Sequence, residues 1–438
     1  MTNSNDNLSR RVVISGVGLI SPVGSTPDEL WSALAEGRSG VVRNEPLAGR
    51  ELPMSVAGLA TQFTGGIGDF GPLEGAKKKA IRKGLKLMCR ETQMAVAAAQ
   101  LALADAGFAD ESPDPESSGV VLGSDYMLTM PEDYQDAIAK CTAEGTFDYK
   151  QWGDDGLSDM QPLWMLRYLP NMPASHIAIY NDLRGPNNSL TMREASGLMA
   201  IGEALRIVAR GHADRMIAGA TGTRVLPMQA IHAMQTEKLA EPTGDPATAS
   251  RPFDKHRTGM VAGEGAGMVM LESLESAQAR GAKIYGEVLG FGASQVCDEQ
   301  LRGKNDVALA NAMKVALRDA GKEVCSIGHI NSHGLASPQA DIEESQAIAK
   351  VFGEDSPPVI APKSNFGNLG AGGGVVELIA SLLAMEHAAL PRVLNYSEAD
   401  PDCPVNAVAS DGTSPGDSFL CINTTPQGQA AAVCIAAC

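Results

Sequence analysis

Four segments limit what this chain can fold into: RVVISGVG, SGVVLGSD, ADRMIAGAT and KIYGEVLGFGAS. Each is a nearly unbroken apolar run, and most carry β-branched residues and close on glycine or a polar turn. Such runs read as strands covered on both faces rather than strands with one wet face. Between them lie helical patterns. STPDELWSALAEG has Thr26 as N-cap, Pro27 in the first turn, Glu29 three residues after the cap, and Gly37 at the end. CRETQMAVAAAQLALADAG is a long Ala-rich helix stopped by Gly107, and GGGVVELIASLLAMEHAAL is another helix. Strands alternating with helices predict an α/β protein with buried sheets. The 438 residues exceed what one small core needs, so two units or a duplicated one are expected. A faint repeat favours duplication: LALADAG leads to the strand SGVVLGSD, and VALRDAG leads to IGHINSHG.

Composition narrows the function classes. With a formal net charge of −17, the chain is not expected to bind nucleic acid or an anionic membrane over a broad face. No apolar run reaches the roughly 18 residues that span a bilayer. The first ten residues are polar, without the apolar stretch of a secretory signal, so a cytoplasmic location is expected. The eight cysteines contain no CxxC pair and sit among apolar residues, which reads as buried reduced thiols. The seven histidines lack metal-ligand spacing, so neither metal nor cofactor is expected. Met130 to Asp159 is polar and acidic, a candidate cap excursion. The run KKKAIRKGLK is the one dense cluster of cations.

Several stretches together resemble the β-ketoacyl-acyl carrier protein synthases, the condensing enzymes of the thiolase-like group. They are RRVVISGVGLISPVG, YLPNMPASHIAIYNDLRGPNNSL, SRPFDKHRTGMVAGEGAGMVMLE, RGAKIYGEVLGFGAS, INSHGLASPQAD and PKSNFGNLGAGGGVVE, in the family's order from Arg11 to about Val433. The resemblance implies a thiolase-like duplicated five-layer α/β/α/β/α sandwich, usually dimeric. It places an N-terminal half at 1–258, with the excursion near 130–160, and a C-terminal half at 259–438.

The family's chemistry uses a Cys that takes an acyl group from a carrier thioester, and two His that promote decarboxylation of malonyl-carrier. Its Cys sits at a helix N-terminus, where N–H groups and the helix dipole favour thiolate and oxyanion. Carried over by motif, MREASG puts Glu194 at the Cys position. NSHGLASPQAD keeps the first His as His333, with Leu335 and Ser337 where the family has hydroxyl residues. PKSNFGNLGAGG keeps Lys363 and Ser364 but puts Asn368 where the second His belongs. Asparagine donates a hydrogen bond but carries no proton charge. Glu377 matches the acid that accompanies Lys363. In INTTPQGQ only Gly428 remains of the glycine-rich loop, and Pro426, which has no N–H, falls where the oxyanion donor belongs. Thr258 and Met260 replace Asp and Phe.

The resemblance therefore implies a ketosynthase homologue of fatty acid or polyketide biosynthesis that has lost its nucleophile. The expected role is a non-condensing, chain length factor-like partner of an active ketosynthase, with acyl carrier protein contacted indirectly. Three alternatives stand beside it. One is a family acyltransferase, malonyl decarboxylase or thioester hydrolase with altered chemistry, using Glu194 as base and His333 as oxyanion donor. Another is a homodimer that binds an acyl ligand or protein without turnover. The last is an ordinary condensing enzyme whose motifs lie elsewhere in the chain.

Overall fold

The computed structural model describes residues 10–44, 54–109, 112–241, 244–353 and 356–438. The polar opening Met1–Ser9, read above as lacking a secretory signal, lies outside them.

Ten strands form the large sheet. In chain order they are β1 (Val12–Ile20), β2 (Ser118–Ser124), β3 (Asn187–Thr191), β4 (Arg215–Thr223), β5 (Glu264–Ser273), β6 (Gly286–Gln295), β7 (His329–Asn331), β8 (Val359–Ile360), β9 (Ser418–Thr424) and β10 (Gln429–Ala436). Their spatial order is β8-β7-β9-β10-β6-β1-β5-β4-β2-β3. Read outward from the centre, one half runs 1-5-4-2-3 and the other 6-10-9-7-8, the same order with five added to each strand. Duplication, faint in sequence, is thus explicit in topology. The two half-sheets join where β1 meets β6, through Val13 opposite Glu287 and Ile14 opposite Gly286. β5 pairs with both β1 and β4, so the strand following the 258/259 point stays with the first half's strands.

The principal helices are α1 (Pro27–Glu36), α2 (Gly75–Gly84), α3 (Arg90–Asp105), α4 (Met172–Asn181), α5 (Ser196–Ala209), α6 (Pro227–Thr236), α7 (Asn305–Ala320), α8 (Pro338–Phe352) and α9 (Gly373–Glu386). α1 begins with the expected capping box, Thr26 and Glu29 bonding each other's backbone, and Gly37 closes it in the left-handed conformation. A box of this kind is worth about 1 kcal/mol.

Three apolar clusters define the layers. α5 and α9 form the middle layer, with Leu198, Ile201, Leu205, Val375 and Ile379 packed against both half-sheets. α3 and α4 cover the outer face of the first half through Val96, Leu103 and Ile177. α7 and α8 cover the second through Leu309, Met313 and Ile348. This is the expected thiolase-like five-layer α/β fold.

The repeated DAG sequence has a repeated job. Asp105, at the end of α3, accepts a hydrogen bond from the Val17 amide of β1 at 2.8 Å. Asp319, at the end of α7, accepts one from the Phe291 amide of β6 at 2.9 Å. β1 and β6 each carry a register irregularity just before that point. The helix backbone lies so close that a Cβ on Gly18 would meet Ala98 O at 2.2 Å, and one on Gly292 would meet Ala312 O at 2.1 Å. Only glycine fits either position.

The excursion folds as short helical turns and a small hairpin, Thr142–Ala143 with Thr146–Phe147. All eight cysteines are free, as expected, but Cys297, Cys325 and Cys438 are exposed rather than buried. These three fall in surface loops and at the chain end, which an apolar sequence context does not reveal.

Candidate active site

Duplication brings the site together. α5 and α9 occupy equivalent places in the two halves, and their first turns converge at the centre. Glu194 lies two residues before α5 and Asn368 five residues before α9. The loops that leave β2, β4, β7 and β9 close around them. Parallel strands end their loops on one side, which is where α/β proteins gather functional groups.

Glu194 is 2% exposed and sits in a buried ion cluster. Arg224, from the loop after β4 and 1% exposed, donates to Glu194 Oε1 at 2.6 Å. The same guanidinium nitrogen lies 2.8 Å from Asp125 Oδ2, at the end of β2, without hydrogen-bond alignment. Its other terminal nitrogen donates to Tyr126 Oη at 2.6 Å, so the tyrosine hydroxyl turns its proton toward His232 Nδ1. Asn368 Nδ2 reaches Glu194 Oε1 at 3.2 Å and Met260 Sδ at 3.0 Å. Asn368 Oδ1 accepts from the Gly370 amide at 3.1 Å, which fixes the orientation of the side chain.

Arg193 precedes Glu194 with φ of 51°, a left-handed conformation uncommon for a non-glycine residue. Its guanidinium reaches Glu194 at 3.4 Å, Glu237 at 3.8 Å and Gln427 Oε1 at 3.3 Å. Burial alone would raise the Glu194 carboxyl. Arg224, then Arg193, outweigh burial and hold it well below the usual carboxylate range. Asp125 shares Arg224 as the second carboxylate, and burial pushes it up. Ser196 acts as a packing residue: its hydroxyl accepts from the Met192 amide at 2.7 Å and donates to Ser124 O at 3.1 Å.

His333 stands on the loop after β7. Its Nδ1 receives Lys363 Nζ at 3.3 Å and Asn423 Nδ2 at 3.3 Å. Both partners are donors, so Nδ1 is the acceptor and the ring proton sits on Nε2. Burial, then Lys363, holds the ring neutral, far below its ordinary value. Lys363 also pairs with Glu377 Oε1 at 2.5 Å, and Asn423 donates to Glu377 Oε2 at 2.9 Å. Lys363 and Glu377 are thus a buried ion pair that orients His333. Glu344 fixes the loop itself by accepting from the amides of His333 at 2.6 Å and Gly334 at 2.8 Å. Pro426 begins a tight turn closed by the Gly428 amide on Thr425 O at 3.0 Å, with Gly428 at φ of 78°.

Glu194, Asn368 and His333 lie together in one buried centre, with Lys363 and Glu377 beside His333. Several residues in it escaped sequence reading, among them Arg224, Asp125, Glu237 and Arg193. A lone arginine after a strand carries no motif. Among the described residues no cluster of His, Cys, Asp or Glu could hold a metal. None of their helices is long and apolar enough to cross a membrane.

The fold and the position of this centre define a condensing-enzyme architecture of the thiolase-like kind. Residues 9–277 match the description "Beta-ketoacyl synthase, N-terminal domain" and residues 285–397 match "Beta-ketoacyl synthase, C-terminal domain". The chain belongs to the beta-ketoacyl synthase family, which serves fatty acid and polyketide biosynthesis. It is 33% identical over 405 residues to 3-oxoacyl-[acyl-carrier-protein] synthase 2 of Synechocystis sp., covering 91% of each chain. It is 32% identical over 404 residues to the Vibrio harveyi protein of the same name, again covering 91% of each. Among solved structures, a beta-ketoacyl synthase from Burkholderia phymatum superposes with a TM-score of 0.83 at 30% identity, covering 98% of this chain and 100% of that one. The ishigamide ketosynthase/chain length factor superposes with a TM-score of 0.82 at 28% identity, with the same coverage.

Proposed function

We propose that this chain is a non-condensing member of the family, a chain length factor-like partner of an active β-ketoacyl synthase. One observation carries the reading. The position that the resemblance assigns to the nucleophilic Cys holds Glu194, and its carboxylate is committed to Arg224 and Asn368. A carboxylate so placed is a weak nucleophile. The anhydride it would form is far more labile to water than a thioester. The committed carboxylate is also a weak base, which disfavours the alternative in which Glu194 activates water. Asn368 supplies no imidazole for decarboxylation.

Two surface features support pairing. β3 is an edge strand hydrogen-bonded only to β2, and its outer edge has no strand partner among the described residues. Beside it an apolar groove is lined by Leu190, Met199, Phe291 and Val315. An open edge next to apolar surface is a ready docking site for another chain. The solved ketosynthase/chain length factor similar to this chain is itself such a pairing by its description. On α2, Lys78, Lys79, Arg82 and Lys83 have no ion-pair partner among the described residues. They form a local cationic face, on a chain of −17, that suits an acidic acyl carrier protein shared with the active subunit.

The test is co-expression of a tagged chain with an active β-ketoacyl synthase from the same organism. A stable heterodimer is expected, with acyl label from carrier thioesters only on the ketosynthase's cysteine. An acyl adduct on the Glu194 peptide, or a monomer at micromolar concentration with and without the ketosynthase, sinks the reading.

A further inference from the structure

Glu237 ends α6 with its side chain 9% exposed, and it makes no side-chain hydrogen bond among the described residues. It lines a cleft of about 440 Å³ together with His333, Asn305, Ser337, Thr424 and Pro426. His333 enters the same cleft with its Nδ1 already filled by Lys363 and Asn423, which leaves Nε2–H as a free donor. A neutral donor and an unbonded carboxylate thus face one water-accessible space.

We propose that this cleft hydrolyses acyl thioesters, with Glu237 as general base and His333 Nε2–H as oxyanion donor. The Glu237 carboxylate takes a proton from water as the water oxygen bonds to the thioester carbonyl carbon. The carbonyl oxygen becomes an oxyanion held by His333. The C–S bond then breaks, and the leaving thiolate takes the proton back from Glu237. The products are a free acid and a free thiol, and no co-reactant beyond water is consumed.

The electrostatics assign the base to Glu237 rather than Glu194. Glu194 is held ionised by Arg224, whereas burial and the nearby Glu194 charge push Glu237 up to about 7. Arg193, at 3.8 Å, and Arg224 pull the other way without cancelling the rise. Lys238, Arg302 and Glu343 also face the cleft. A carboxylate near 7 matches base strength to neutral pH. Such an activity would clear stalled acyl chains from a biosynthetic pair. It is separate from pairing: a heterodimer that forms but hydrolyses nothing overturns this inference alone.

The experiment follows octanoate release from octanoyl-N-acetylcysteamine by mass spectrometry, with the purified full chain, from pH 5 to 9. Release above the protein-free rate is expected, rising with pH through a midpoint near 7 as Glu237 ionises. Glu237→Gln should lower it by about a hundredfold or more, with an unchanged unfolding temperature showing that it folds. If that variant does not fold, the wild-type pH profile decides. No release above background, a midpoint below pH 5, or full activity in folded Glu237→Gln would overturn the proposal.

Discussion

Replacing Glu194 by cysteine tests how far the centre stands from a condensing enzyme. The substitution removes the 2.6 Å contact from Arg224 and the 3.2 Å contact from Asn368. Arg224 keeps Asp125 and Tyr126 as partners. Breaking a buried pair costs about 3–5 kcal/mol, and the remaining partners put this case at about 3 kcal/mol. Unfolding entropy scales at about 2.1 cal/mol/K per residue, so for a chain of this length that loss lowers the melting temperature by about 3 °C. The introduced thiol sits at a helix start beside two arginines, so its thiolate is favoured and iodoacetamide should alkylate it faster than any native cysteine. Condensation should nevertheless stay absent. It lacks an imidazole at Asn368 and an N–H at Pro426. Each such donor is worth about 3 kcal/mol, or a hundredfold, so two losses leave about ten-thousandfold less rate. Peptide mass mapping reads the alkylation, scanning calorimetry the stability, and product mass spectrometry with acyl- and malonyl-carrier the condensation. β-Ketoacyl product at a rate typical of the family would refute the reasoning, because the centre would then be complete without either donor.

Arg224→Met leaves Glu194 and Asp125 buried together without their shared cation. It should destabilise the chain by about 3–5 kcal/mol at pH 8 and by less at pH 4, where the carboxyls can protonate, as read by chemical denaturation. Leu190→Asp puts a charge in the groove beside the free edge of β3 and should dissociate the proposed pair at micromolar concentration, as read by analytical ultracentrifugation. If the proposed heterodimer forms, reversing Lys78, Arg82 and Lys83 to glutamate should weaken its acyl carrier binding several-fold, with a smaller salt dependence than the wild type.

Much of the fold was legible because its signals are local. The apolar runs became β1, β2, β4 and β6, and Thr26, Glu29 and Gly37 delimited α1 as their chemistry requires. The repeated DAG hinted at duplication, and its physical content, an aspartate bonding a strand amide in each half, needed coordinates. The membership of β5 was not legible. An apolar strand looks alike whichever half it joins, and only its pairing with β1 and β4 decides. In the site, motif positions brought Glu194, His333, Asn368, Lys363 and Glu377 to one place. Arg224 stayed hidden because its partner is thirty residues away in sequence, in the turn before α5. Glu237 stayed hidden because its character comes from burial and from a neighbouring charge, neither of which spacing encodes.

Another buried carboxyl, Glu91, lies outside every motif. Glu91 lies in the first turn of α3, 2% exposed, with one oxygen bonded by Gln229 Nε2 at 3.0 Å and the other without a partner. Burial pushes its carboxyl up to about 7, with smaller upward contributions from Glu264 and Asp125. A carboxyl whose folded value is raised favours the folded state below its unfolded value near 4.3. That advantage is lost as pH rises from there through the folded value. The difference of nearly three units corresponds to about 3–4 kcal/mol lost between pH 4 and 8. Glu91→Gln keeps an oxygen to accept from Gln229 and removes the titration. It should therefore stabilise the chain at pH 8 by about 2–3 kcal/mol and leave it nearly unchanged at pH 4.5, as read by denaturant midpoints. Equal effects at both pH values would mean that Glu91 is not the group that titrates. Because Asp125 contributes to its shift, the same variant should also ease the ionisation of Asp125 beside Arg224. The structural cost of keeping that cluster charged is thus spread along β2 and α3, outside the motifs that define the family.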